Sequence, residues 1–366
     1  MRRAESVQVG SDESVQATAS DAAAGKLSAA SLGYFEDRFL EVLVGLPVPA
    51  VPVPSTAAEV EPPVRRLPPI INRGNFARVS CMEKLVLEFI GTSPGHPSSV
   101  PHDMTGDGDE HPNHNTDCKE SHSMHSIKEP PARKPQVISL GAGKDSLFFR
   151  LMDRETAASG GYYEVDFPAV SRWKAGLVAK TPILSALAND LYKLVAADLR
   201  DIAALEDALI TAGVDLAAPT IFLAECVLVY MEPADSNALL QWCASNFPDS
   251  LFAAYEMTSP HDAFGKMMKQ NIERMGCMLP GLEPYPSLLS QEDRFKKAGW
   301  DSANAIDMLK VFQELLDPAE VRRASKIEIL DEVEEWELIM HHYCLVVAAK
   351  GQDAVARLSG NPVLSR

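Results

Sequence analysis

The chain has 366 residues, 46% of them hydrophobic and 23% charged, and a formal net charge of −17. That is enough apolar material for one large domain or two modest ones. The negative balance argues against a nucleic acid or an anionic membrane as partner, because a polyphosphate surface would repel it. Six scattered cysteines form no CxxC pair, the start MRRAESVQVGSDESVQ has no apolar signal core, and no apolar run is long enough to span a bilayer. These features predict a soluble, cytoplasmic protein with reduced thiols.

Residues 1–14 are polar and read as a frayed terminus. Residues 15–46 carry helix-like apolar spacing at Leu27, Leu32, Phe35, Phe39, Leu40 and Leu43. The proline-rich stretch PVPAVPVPSTAAEVEPP then predicts an extended, poorly packed insertion over 47–67. PPIINRGNFARVSCMEKLVLEFIGT returns to order as a turn leading into an amphipathic helix. Residues 93–134 are rich in Pro, Gly, Ser, Asp and His and almost lack large apolar side chains. They predict a second disordered insertion. His111, His114, Cys118, His122 and His125 have spacings that a zinc ion accepts, but nothing apolar surrounds them to hold a site rigid, so no metal is expected.

From residue 135 the texture changes. QVISLGAG (136–143), GYYEVDFP (161–168), LVAADLRD (194–201), TIFLAECVLVYM (220–231) and LFAAYEM (251–257) are strand-length apolar runs separated by helical segments. That alternation indicates βαβ units and a parallel sheet. SANAIDM (302–308) and HHYCLVVAAKG (341–351) add two strands, with helical stretches around KVFQELL and EEWELIM between them. The domain is expected to span 15–351, interrupted by the two insertions and followed by a tail at 352–366.

Four of these strands carry chemistry near their C-terminal ends. Leu140-Gly141-Ala142-Gly143 suits close backbone approach to a nucleotide, or simply a tight turn. Ser146 stands where a dinucleotide fingerprint would have its third glycine. Asp166, 25 residues after Gly141, is placed to accept hydrogen bonds from ribose hydroxyls. Asp198 ends the third strand, where it can face an adenine amine, and Glu225 lies in the fourth. A nicotinamide enzyme needs the first two features and not the last two. Extra acids without phosphate-cradling glycines favour S-adenosylmethionine, which has a sugar, an adenine, a positive sulfonium and no phosphate.

INRGNFARV (71–79), SLGAGKDSLFFRL (139–151), YYEVDFP (162–168), AADLRD (196–201), LAECVLVYM (223–231) and HHYCL (341–345) together closely resemble the leucine carboxyl methyltransferase family. The resemblance extends to SAASLGYFEDRF near the N-terminus. It implies a class I, Rossmann-like α/β methyltransferase with a seven-stranded, mostly parallel sheet and an added helical lid. It implies S-adenosylmethionine as methyl donor and the C-terminal leucine carboxylate of the type 2A protein phosphatase catalytic subunit as acceptor; separately, the protein is expected to be a monomer. By motif match, Lys26 and Arg73 correspond to basic residues at the cofactor's methionine end, Arg73 pairing with its carboxylate. Gly141 corresponds to the glycine beneath the cofactor, Asp166 to the ribose ligand, Asp198 and Leu199 to the adenine contact, and Glu225 to an acid near the cofactor. Arg38 stands where the family often has proline.

A carboxylate is already anionic at cellular pH, so in-line transfer needs positioning residues and no general base. Arg73 and Tyr230 are the residues expected to act in catalysis, Tyr230 by contacting the substrate carboxylate. Tyr34 is a weaker candidate that also suits a core aromatic. His341 and His342 read as a strand-edge pair, and Cys226 as a small buried hydrophobe. Two other readings stay open: a related carboxyl methyltransferase acting on a modified transfer-RNA base, and an inactive phosphatase-binding protein.

Overall fold

The computed structural model describes residues 9–45, 65–91, 133–156 and 158–359. Most of both expected insertions, including the histidine-rich stretch, lies outside the described residues. Seven strands build one sheet: β1 (Gln136–Leu140), β2 (Tyr162–Asp166), β3 (Tyr192–Ala196), β4 (Thr220–Glu225), β5 (Ser250–Met257), β6 (Ser302–Asp307) and β7 (Tyr343–Lys350). Their order is β3-β2-β1-β4-β5-β7-β6. Strands β1 to β5 pair in parallel, and β7 runs antiparallel to both β5 and β6. This is the expected α/β, mostly parallel, methyltransferase-type sheet.

The central strands are apolar on both faces because helices cover both faces. All residues of β1 and of β5 are buried. One core gathers Phe148, Tyr162, Tyr192 and Tyr255 with helix α1 (Val9–Ser31), the short α2 (Leu40–Val44) and α3 (Pro69–Gly91). The opposite core packs Phe222, Phe252, Phe295 and Trp300 beneath the helices Ile202–Thr211, Pro233–Asn246 and Leu288–Lys297. The chain runs outward from β1 through β2 to β3, then returns to place β4 on the other side of β1. A crevice opens at such a reversal, outside the carboxyl ends of the strands.

Three boundaries differ from expectation. Helix α1 starts at Val9, inside the stretch expected to fray, and the Asp12 carboxylate is gripped there by the Arg200 guanidinium. The expected tail contains a helix, Gln352–Ser359, docked by buried Ala354 and by Arg357, which pairs with Asp249 and lies over Phe89. Strand β4 stops at Glu225, short of residue 231. Cys226 turns the backbone to φ +55°, and Leu228–Tyr230 forms a 3₁₀ turn. The amides of Val227 and Leu228 donate to Glu256 Oε1 at 3.3 and 3.0 Å. Because TIFLAECVLVYM resumes an apolar run after Glu225, its pattern does not mark this break. The break is what brings Tyr230 over the crevice.

Burial pushes the Glu256 carboxyl up to about 7, against the opposing pull of Arg294 and the turn amides. The folded state therefore keeps a proton that the unfolded chain releases above its ordinary value near 4.5. This group's contribution to stability is full below about pH 4.5, falls between there and about pH 7, and is flat above. Replacing Glu256 by Gln keeps an acceptor for the turn amides. The variant's melting temperature is expected to decline less than wild type's between pH 5 and pH 7.5.

A candidate active site at the switch of the sheet

The crevice is a cavity of about 480 Å³, within the usual range for a small-molecule site. Its floor is the loop after β1. Gly141 and Gly143 both have positive φ, at +61° and +51°. A Cβ on Gly141 would lie 2.7 Å from Val227 Cγ2, so the position needs glycine for space as well as for conformation. The Gly141 amide donates to Val165 O at 2.8 Å, and the Gly143 amide donates to Asp166 Oδ2 at 2.7 Å. The Phe167 amide supplies Asp166 Oδ1, also at 2.7 Å. Asp166 is thereby fixed at the end of β2, facing the cavity. Burial raises its carboxyl above the usual range despite these two amides.

Asp198 and Leu199, just past β3, line the same wall. Arg200 clamps Asp198 with bonds of 2.9, 3.1 and 2.6 Å. Burial opposes the Asp198 charge, but the Arg200 side chain and amide outweigh it and hold the carboxyl below its usual range.

At the far end four charges meet. Lys26 Nζ, from α1, lies 3.1 Å from Asp145 Oδ1 and 3.1 Å from Glu225 Oε2. Arg78, from α3, donates from Nε to Glu225 Oε2 at 2.5 Å and lies over the Tyr255 ring at 4.7 Å. Burial disfavours the charges of Asp145, Glu225 and Arg78, yet their opposite partners prevail. Asp145 and Glu225 are held below the carboxylate range, and Arg78 stays cationic. The quartet is neutral overall, with its cations and anions fixed before any ligand arrives.

Beside the quartet the lining turns apolar and aromatic: Tyr230, Tyr255, Met257, Ile272, Ile339 and Tyr343. The rings of Tyr255 and Tyr343 stack at 5.2 Å. Burial is the main cause that keeps the Tyr230 phenol above its usual range, so it remains a hydrogen-bond donor at neutral pH.

Of the site residues expected from sequence, Lys26, Gly141, Asp166, Asp198, Leu199, Glu225 and Tyr230 come together here. Arg73 does not. Its Nη2 donates to Ser325 O and Glu328 O at 3.4 and 3.3 Å, and its guanidinium lies 5.8 Å from the Trp336 ring. Arg73 and Arg78 are five residues apart on α3, which turns the second by about 140° from the first. Ile71, Gly74, Asn75 and Arg78 share the face toward the cavity, whereas Arg73 shares its face with buried Phe76 and Ala77. The motif held both arginines, and the helical phase selects the second. Arg73→Ala is expected to cost roughly 1–2 kcal/mol of stability and leave ligand affinity nearly unchanged, as denaturation and calorimetry would show.

Tyr34 is a buried core aromatic whose hydroxyl donates to Glu328 Oε2 at 3.3 Å. His341 lies 3.4 Å from Asp307, and buried His342 bonds Asp262 and Leu338 O; neither histidine lines the cavity. Cys226 is partly exposed and does line it. Arg78, Asp145, Tyr255 and Tyr343 were not singled out from sequence. The acid two residues beyond Gly143, and the spacing Ile71, Gly74, Arg78, were the available signals.

Comparison with known proteins fits this geometry. A leucine carboxyl methyltransferase family model matches residues 127–244. An Arabidopsis thaliana protein described as a leucine carboxyl methyltransferase 1 homolog is 34% identical, over 91% of this chain and 88% of its own. Leucine carboxyl methyltransferase 1 of Bos taurus is 35% identical, over 93% of this chain and 91% of its own. The chain belongs to the leucine carboxyl methyltransferase family. A Rattus norvegicus tRNA wybutosine-synthesizing protein 4 is also 34% identical over 92% of this chain, which spans 44% of that longer protein. Within this leucine carboxyl methyltransferase family member, the matched segment holds the glycine loop, Asp166, Asp198, Glu225 and Tyr230. Lys26 and Arg78 reach the same cavity from helices outside that segment.

Proposed function

We propose that the protein transfers a methyl group from S-adenosylmethionine to the α-carboxylate of the C-terminal leucine of a type 2A protein phosphatase catalytic subunit. The observation that carries this reading is a single cavity with acids at one end, a fixed cation–anion quartet at the other and an apolar, tyrosine-lined recess beside the quartet. The donor set suits the cofactor. Asp166 and Asp198 suit hydroxyls and an amine, Arg78 and Lys26 suit a carboxylate, Glu225 and Asp145 suit an ammonium, and the glycine cradle admits no Cβ. The bond to Glu225 uses Arg78 Nε and leaves the fork of the guanidinium for a ligand carboxylate.

When bound, S-adenosylmethionine supplies an electrophilic methyl on a sulfonium. The acceptor carboxylate has an ordinary pKa of roughly 3.5 and needs no deprotonation. The task left to this chain is alignment and exclusion of water, effects that together supply roughly 7–11 kcal/mol in favourable systems. Tyr230 donates a hydrogen bond that holds one carboxylate oxygen. Tyr255, Met257, Ile272 and Ile339 receive the leucine side chain and keep the recess dry, which favours a step in which an anion meets a cation.

A second reading has one observation in its favour, the 34% identity to the wybutosine-synthesizing protein over a part of that protein. The net charge of −17 opposes it, because a transfer RNA would be repelled. The two readings separate when the enzyme is offered radiolabelled cofactor with either intact phosphatase catalytic subunit or tRNA. Alkali-labile label on the phosphatase supports the proposal, and label on the tRNA alone overturns it.

A further inference from the structure

Helix α1 lies along the length of the cavity. Asp12, Val15, Ala19, Ala22 and Lys26 recur at helical spacing on its cavity-facing side. Its two halves are held differently. Ala23, Gly25, Lys26, Ser28 and Ala29 are buried, so the second half is part of the core. From Asp12 to Ala22 no side chain is fully buried. This half covers the end where Asp166 and Asp198 sit, and it cannot be held there by apolar burial alone.

Polar contacts hold it instead. Arg200 Nη1 and Nη2 donate to the two Asp12 oxygens at 2.9 and 2.8 Å, while Nε and Nη2 reach Asp198. The same guanidinium lies 5.5 Å from the Phe167 ring, another cavity residue. One arginine thus touches the cover through Asp12 and the bed of the cavity through Asp198 and Phe167. Further along, Thr18 of α1 lines the same cavity as Tyr230, the residue assigned to the substrate carboxylate.

We propose that Arg200 is a positioning residue that latches the N-terminal half of α1 over the adenosyl end of the cavity and sets the rate of cofactor and product exchange. The inference rests on the cofactor reading above. Residues 12–22 lie over the cavity, so lifting them opens a way out for a ligand, and the Arg200–Asp12 fork is a directed contact that opposes that motion. Such covers are drawn from the weakly packed parts of a fold, and their opening often limits turnover. The pair is partly exposed, with side-chain exposures of 28% and 31%, so salt reaches and weakens it.

The test follows release of S-adenosylhomocysteine from the full chain by stopped flow, together with hydrogen exchange of the ligand-free protein. Asp12→Asn removes the α1 side of the fork without touching Asp198. It is expected to speed release roughly five- to tenfold and to raise exchange across 12–22 while 23–31 stays protected. Asp12→Glu is expected to keep release slow. High salt should bring wild type toward the Asp12→Asn rate and change Asp12→Asn little. Equal release rates and equal exchange in wild type and Asp12→Asn would overturn the latch. If wild type bound no S-adenosylhomocysteine, the cofactor reading would fall. The exchange pattern would then decide alone whether Arg200 holds α1.

Discussion

Arg78→Ala is expected to lower affinity for S-adenosylmethionine by about 100-fold or more, the scale of losing one partner from a buried, hydrogen-bonded charge pair. The substitution does two things at once. It removes the guanidinium fork assigned to the ligand's carboxylate, and it takes from Glu225 a partner at 2.5 Å while Lys26 remains. It also opens the space over Tyr255 that the guanidinium fills at 4.7 Å. Arg78→Lys keeps the charge but not the planar fork, so it should recover only part of the loss. Calorimetric titration reads these effects directly, with Arg73→Ala as the control from the same helix. Equal losses in Arg73→Ala and Arg78→Ala would mean that the helical phase has been misjudged.

The second large effect is expected at Gly141. Alanine there must hold φ near +61°, which costs on the order of 1–2 kcal/mol. Its Cβ must also lie 2.7 Å from Val227 Cγ2, a separation that forces something to move. Val227 has little freedom to yield, since its amide is tied to Glu256 and it leads into the turn carrying Tyr230. The expected outcome is a loop displaced into the cofactor space and a Tyr230 turn pushed off its seat. Methyl transfer should fall by about 100-fold or more, while melting drops by only a few degrees. Gly143 is less demanding. A Cβ there would meet Ala19 Cβ on α1 at 2.9 Å, on the half of the cover with no fully buried side chain.

The parallel core and its acids were legible because their signals are local. A strand buried on both faces reads as an apolar run, and an acid at its C-terminal end stands out against that run. Gly141, Asp166, Asp198 and Glu225 were found in this way. What escaped depended on rotation or on distance along the chain. Arg73 and Arg78 share one motif and one helix, and only the direction of Phe76 and Ala77 into the core shows which arginine faces the ligand. Asp145 looked like part of a glycine loop until Lys26, more than a hundred residues earlier, was found against it. The order of α1 from Val9 was hidden for the same reason: Asp12 is secured by Arg200, 188 residues away. The end of strand β4 at Glu225 was not marked, because the apolar run continues through a turn set by Glu256 on the neighbouring strand.

The most direct test of the central claim is mass spectrometry of the phosphatase C-terminal peptide after incubation of intact phosphatase with the enzyme and S-adenosylmethionine. A single methyl ester on the terminal leucine, absent when Arg78 is replaced by alanine and absent from phosphatase lacking that leucine, is the predicted result. An unmodified terminal leucine under conditions where the enzyme demonstrably binds its cofactor would contradict the substrate assignment.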